Sequence, residues 1–255
     1  MSTLIAFDID GTLIDTGPSF SRIIQELSSA THEEIQLFRD NGGFNDDWEL
    51  TRAAMAWIAA GRPRILDRCS DWRDVVAWCG HDPGDVSARC IELYRGGYWR
   101  DERLLIKPGS LQRVAGLTRV AACTGRDRWE MERAEELLGF SFPHRTTAED
   151  VKKPAPEALL RLVQPGDDVV VLLGDTEADR RTVVAARAEH SARAEYSAGA
   201  DYSAGADYSA AGRHSARFFF IPITPAKTAQ AFIDAVLEAH DVHDVHEVAS
   251  RFGEA

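Results

Sequence analysis

Short apolar runs that end in glycine or polar residues alternate along this chain with segments of helical spacing. Residues 3–9 (TLIAFDI) read as a buried strand that leads into a turn at Gly11. Residues 119–123 (RVAAC) stop at Thr124-Gly125, and residues 168–173 (DVVVLL) stop at Gly174-Asp175. Residues 217–223 (RFFFIPI) give a fourth strand, and 144–147 a weaker one. Helical patterns fall at 126–138, 154–163, 176–188 and 226–239. Trp129, Ala134, Leu137 and Leu138 share a face of the first of these, and Pro154 suits a first helical position. Apolar strands alternating with helices predict an α/β fold, a Rossmann-like parallel sheet covered on both faces. Its ligand site is expected at the carboxyl ends of the strands.

Two stretches break the alternation. Residues from about 18 to 103 have helical periodicity, no convincing strand, and five of the six Trp (Trp48, Trp57, Trp72, Trp78, Trp99). They predict an all-helical domain inserted after the first strand, with those Trp in its core. Residues 190–213 contain YSAGAD twice in succession, flanked by the degenerate copies HSARAE and YSAAGR. A period of six fits neither helix nor strand, and the segment is small, polar and glycine-containing. It is expected to be a flexible insertion. The domain expectation is therefore a core of 1–16 and 104–255, a helical cap of 17–103, and a hexad-repeat insertion at 190–213.

Composition narrows the function. Forty-one acidic against 29 basic residues give a net charge of −12, a field that repels phosphate backbones and argues against nucleic acid. The longest apolar runs fall far short of a membrane span. No basic, then apolar, then cleavage-site pattern opens the chain, so no secretion signal is read. Cys69, Cys79, Cys90 and Cys123 lack CxxC spacing, and free thiols in a cytoplasmic protein are expected. Only four of the basic residues are Lys. Adaptation to concentrated salt and a GC-rich genome both replace Lys by Arg, but the acidic excess supports only the first.

The chemistry gathers at the strand ends. Asp8-Ile9-Asp10-Gly11-Thr12 follows the first strand, and two acids one residue apart on extended chain point the same way. Gly11 lets the chain leave the strand without a side-chain clash. Thr124-Gly125-Arg126 follows the second strand, Lys153-Pro154-Ala155-Pro156-Glu157 opens a helix, and Gly174-Asp175-Thr176-Glu177-Ala178-Asp179 follows the third. These four motifs, in this order, resemble those of the haloacid dehalogenase-like hydrolase superfamily, in particular its phosphatases with an inserted helical cap, of the phosphoglycolate phosphatase kind.

The resemblance implies a Mg²⁺-dependent phosphatase for a small phosphorylated metabolite. Asp8 would be the nucleophile that forms an aspartyl-phosphate, and Asp10 the general acid and then base. Thr124 and Gly125 would bind phosphoryl oxygens, helped by the N-terminus of the following helix. Lys153 would pair with the nucleophile, with its neighbour Lys152 as the competing assignment. Asp8, the main-chain carbonyl of Asp10, and Asp175 would hold the metal, with Asp179 orienting its shell. Asp15 is expected to be a structural partner at the cap hinge. The dehalogenases of this family lack the second acid of the first motif, so Asp10 argues for phosphoester chemistry. A phosphomutase with the same motifs, or a non-catalytic binding protein on this fold, are the alternatives.

Lesser candidates complete the reading. Residues 42–48 (GGFNDDW) suit either a substrate loop of the cap or an ordinary helix–helix turn, and Arg52, Arg62 and Arg64 are candidate contacts for a second anionic group. His240, His243 and His246 read as a solvated helix end rather than a metal site, and Cys123 as a buried strand residue.

Overall fold

The structure is a computed structural model that describes residues 2–40, 46–200, 216–239 and 242–253. It divides into two compact units, Met1–Asp15 with Leu104–Ala255, and Thr16–Arg103.

The first unit is built on a five-stranded, all-parallel sheet. Its strands are β1 (Ser2–Phe7), β4 (Arg119–Cys123), β5 (Arg145–Thr146), β6 (Asp167–Gly174) and β7 (Arg217–Pro222), in the order β5-β4-β1-β6-β7. The two-residue strands β2 (Ile14–Asp15) and β3 (Arg103–Leu104) pair where the chain passes between the units. The sheet order reverses at β1, the switch point where a ligand crevice opens in such folds. The side chains alternate along each strand. Ile5, Phe7, Val120, Ala122, Val171 and Leu173 pack against α6 (Ser110–Ala115), α7 (Arg128–Leu138), α10 (Ala229–Glu238) and α11 (Val242–Phe252). Leu4, Ala6, Ala121, Val170, Leu172 and Phe218 pack on the other face against α8 (Glu157–Leu160) and α9 (Glu177–Ala200). The predicted three-layer α/β core is what the chain builds.

The second unit holds α1 (Gly17–Ser28), α2 (His32–Asp40), α3 (Asp47–Ala59), α4 (Trp72–Cys79) and α5 (Ser87–Gly96). Asp46 and Asp71 accept the free amides at the N-termini of α3 and α4. Ile24, Phe38, Leu50, Ala54, Trp57 and Val75 form its core. Trp57 packs edge-on to Phe38 and donates its Nε1–H to Pro63 O at 2.8 Å. Trp48 lies against Phe20, and Arg52 stacks on Trp72. Trp78 departs from the expected core role, being 59% exposed.

Three elements differ from expectation. The helix read at 154–163 shrinks to the four residues of α8, because Pro156 disfavours helical backbone at Ala155 and delays the start. α9 runs on to Ala200, through the first half of the segment expected to be flexible. The Ala-rich repeat extends an existing helix and so needs no new nucleus. Residues 201–213 of that segment lie outside the described residues, as do 42–45 of the glycine-rich stretch and His240. α6 and α11 were not separately anticipated. Among the described residues no helix is long and apolar enough to cross a membrane, and all four cysteines are free.

Candidate active site

In the register of the sheet, Phe7 lies opposite Ala122 of β4 and Leu173 of β6. The residues that follow these three strands therefore leave the same carboxyl edge. Asp8 comes first, its N–H still donating to Leu173 O at 2.8 Å. The chain then turns back, with Ile14 N–H on Ile9 O and Gly11 N–H on Ile14 O. Gly11 has φ +67°, and a Cβ there would fall 2.0 Å from Asp175 Oδ2, so backbone conformation and close approach both require glycine.

Asp8 is buried, and Lys153 Nζ stands 2.9 Å from its Oδ1. The same ammonium donates to Asp179 Oδ1 at 2.5 Å. Asp179 is itself fully buried, and its Oδ2 accepts from the Thr176 N–H at 3.1 Å and hydroxyl at 2.5 Å. A Cβ on Gly174 would lie 2.5 Å from Asp179 Cγ, so this glycine makes room for the carboxylate. Asp179 thus works as a bracket, fixed by Thr176 on one oxygen and holding Lys153 with the other. Lys152 is exposed, and it is Lys153 that meets Asp8 and Asp179.

The charges do not balance. Burial pushes the Asp8 carboxyl up, with Asp179 and Asp10 adding to the rise and Lys153 opposing it. Burial penalises the Lys153 ammonium, yet Asp8 and Asp179 outweigh that and hold it above its ordinary range. Asp175 reaches the surface at this edge, but its carboxyl is largely shielded from water, and that burial, then the Asp179 charge, raises it to about 6. One lysine faces more than one carboxylate. Asp8, Asp175 and Asp179 each bring an oxygen within 4.8 Å of the others. An all-carboxylate set with excess negative charge fits a hard divalent cation, which would lower those carboxyls again.

Asp10 stands apart from that cluster. Its Oδ1 accepts from Arg126 Nε at 2.7 Å, and Arg126 Nη2 is also 2.7 Å away. The sequence places Arg126 in the Thr124-Gly125-Arg126 motif and at the start of a helix but gives it no role, and nothing in its neighbourhood marks it as the partner of a residue 116 positions earlier. Thr124 is buried, and its Oγ1 accepts from the Arg126 N–H at 3.1 Å. Gly125 follows it at the exposed edge. The helix N-terminus beyond is less open to an anion than expected. Asp127 and Glu130 form a reciprocal capping box that satisfies both of their amides and adds two carboxyl groups there. Cys123 is buried and its thiol is pushed up to about 12 by burial, which fits a strand residue and not a nucleophile.

The lesser candidates are mostly engaged elsewhere. Arg52 pairs with Asp82 and Arg62 with Glu34, both within the second unit. Arg64 lines a cavity of about 430 Å³ in that unit with Trp57 and Ile65. His246 packs its ring on Phe219.

Comparison with known proteins follows the same lines. The family profile described as hydrolase, haloacid dehalogenase-like hydrolase, matches residues 3–187. A solved phosphatase, Tt82 from Thermococcus thioreducens, superposes with a TM-score of 0.68 at 25% identity, covering 92% of this chain and 99% of its own. A HAD-superfamily hydrolase of subfamily IA from Geobacter sulfurreducens has a TM-score of 0.43 at 20% identity, over 72% of this chain and 83% of its own. The L-2-haloacid dehalogenase from Xanthobacter autotrophicus has 0.43 at 18%, over 70% and 72%. No curated protein sequence matches the chain.

Proposed function

The chain belongs to the haloacid dehalogenase-like hydrolases, and from that premise we propose that it is a Mg²⁺-dependent phosphatase acting on a small phosphorylated metabolite through an aspartyl-phosphate. The observation that carries this reading is the pair of acids at the end of β1. Asp8 lies buried against Lys153, while Asp10, two residues on, stands outside the three-acid cluster with its side chain 36% exposed. A halide leaves without a proton, whereas an ester oxygen needs one, and in this reading Asp10 supplies it. The likeness to the Thermococcus thioreducens phosphatase supports the same reading.

Asp8 and Asp175, with the main-chain carbonyl of Asp10, would hold Mg²⁺, and Asp179 completes the acid cluster while gripping Lys153. Bound there, Mg²⁺ supplies charge neutralisation that lets a carboxylate approach a polyanionic phosphate. An Asp8 oxygen attacks phosphorus, the P–O ester bond breaks, and Asp10 gives its proton to the departing oxygen. Asp10 then takes a proton from water as the water oxygen attacks phosphorus. The bond to Asp8 breaks and inorganic phosphate is released. Lys153 steadies Asp8 and the transferred group, and Thr124 Oγ1 and the Gly125 amide hold its oxygens.

The test is a screen of phosphorylated metabolites, 2-phosphoglycolate among the first, for release of inorganic phosphate. Activity is expected with Mg²⁺ and is abolished by a chelator, and Asp8→Asn should lose more than about 99% of turnover. An isomerised phosphate ester as product would instead make it a mutase. Retained activity in Asp8→Asn would end the aspartyl-phosphate assignment.

A further inference from the structure

Among the described residues Arg126 is the most enclosed basic side chain, at 2% exposure, and this reaction scheme leaves it unused. A guanidinium is kept from water only where its donors are met. Here the backbone pins it at both ends, with Arg126 N–H on Thr124 Oγ1 and Arg126 O accepting from Ala148 N–H at 3.0 Å. Nη1 donates to Glu130 O at 3.2 Å. Nε and Nη2 both close on one oxygen of Asp10, Oδ1. A guanidinium that serves only to neutralise a carboxylate commonly takes both oxygens, fork to fork. In this pair both contacts fall on Oδ1, no hydrogen bond to Asp10 Oδ2 is seen among the described residues, and the Asp10 side chain is 36% exposed.

We propose that Arg126 is a positioning residue for proton transfer: it anchors Asp10 through Oδ1 and so presents Oδ2 as the oxygen that gives and takes the proton. The inference rests on the phosphatase reading. In the first half-reaction the Oδ2–H bond breaks and an O–H bond forms on the leaving alcohol as the ester P–O bond breaks. In the second, Oδ2 regains a proton from the attacking water. The value of Arg126 therefore scales with how badly the leaving oxygen needs a proton. An alkyl phosphate needs it, whereas nitrophenolate departs without one.

The experiment compares kcat/KM for an alkyl phosphate found in the screen with that for p-nitrophenyl phosphate, in wild type, Arg126→Met, Arg126→Lys and Asp10→Asn. Because kcat/KM covers steps only up to release of the alcohol, defects in the second half-reaction drop out of the comparison. The alkyl-to-aryl ratio is expected to fall about 100-fold in Arg126→Met, at the lower end of what general acid catalysis supplies. Arg126→Lys keeps the buried charge but not the two-nitrogen grip, and should give a smaller fall in the same ratio. Adding Arg126→Met to Asp10→Asn should lower the ratio no further. A variant that still cleaves the aryl ester is folded, so either substitution alone can decide. An unchanged ratio with both esters slowed alike would reduce Arg126 to a structural cation and leave the phosphatase reading intact. Wild-type enzyme that cleaves neither ester would overturn both.

Discussion

At the scale of single residues, the site is a chain of supports. Thr176 holds Asp179, Asp179 holds Lys153, and Lys153 meets Asp8. Removing one link should be felt at the next. Lys153→Ala leaves two buried carboxylates without their cation and should cut kcat by at least about 100-fold, whereas Lys152→Ala, on the exposed side chain, should stay within about twofold. Steady-state kinetics on the two variants checks this, and comparable losses would contradict the geometry. Gly174→Ala should act through the bracket. Its Cβ overlaps the stem of Asp179, not a flexible tip, so the carboxylate must move. About 1–3 kcal/mol of stability and more than tenfold in kcat are expected to go together, read by denaturant melts and kinetics. The acids and Lys153 were legible in the sequence because each sits in a motif at a strand end or helix start. The Arg126–Asp10 pair was not, since the two residues meet only when the loops after β1 and β4 share one edge of the sheet.

Elements were legible where burial decides them and obscure where it does not. The apolar runs gave the four longer strands within a few residues, because parallel strands covered on both faces must be almost wholly apolar. α9 shows the limit. Its first half is anchored by Val183 and Ala186 in the core, but the hexad copy 190–195 has no apolar stripe and was read as non-helical. A helix already started propagates through alanine-rich sequence without such a stripe. At about 1.5 Å per residue, residue 194 lies on the order of 25 Å along α9 from Glu177, next to the site. Replacing 194–213 by a short linker, while keeping His190 and its contact with Phe218, should therefore change kcat/KM less than about threefold. A large loss in a folded variant would place the repeat within reach of the substrate or of another subunit's site.

On the whole molecule the charges set the response to salt. Many arginines of the described residues sit in ion pairs such as Arg145–Glu135, Arg180–Glu177 and Arg52–Asp82, several of them half exposed. Each such surface pair contributes about 0–1 kcal/mol and weakens as salt screens it. Against this stands the excess of 41 acidic over 29 basic residues, whose mutual repulsion salt also screens. The two effects have opposite signs. The pairs act over a few ångströms, where screening is incomplete even at about 3 Å of Debye length in molar salt. The repulsion acts across the whole surface, at separations where screening is nearly total. Relief of repulsion should therefore win, and the melting temperature should rise from low to molar KCl. The rise should be steepest at the low end, where the Debye length shrinks from about 30 Å toward 10 Å. A melting temperature that is flat or falls with KCl would mean that the short-range pairs dominate and that the acidic surface is no adaptation to salt.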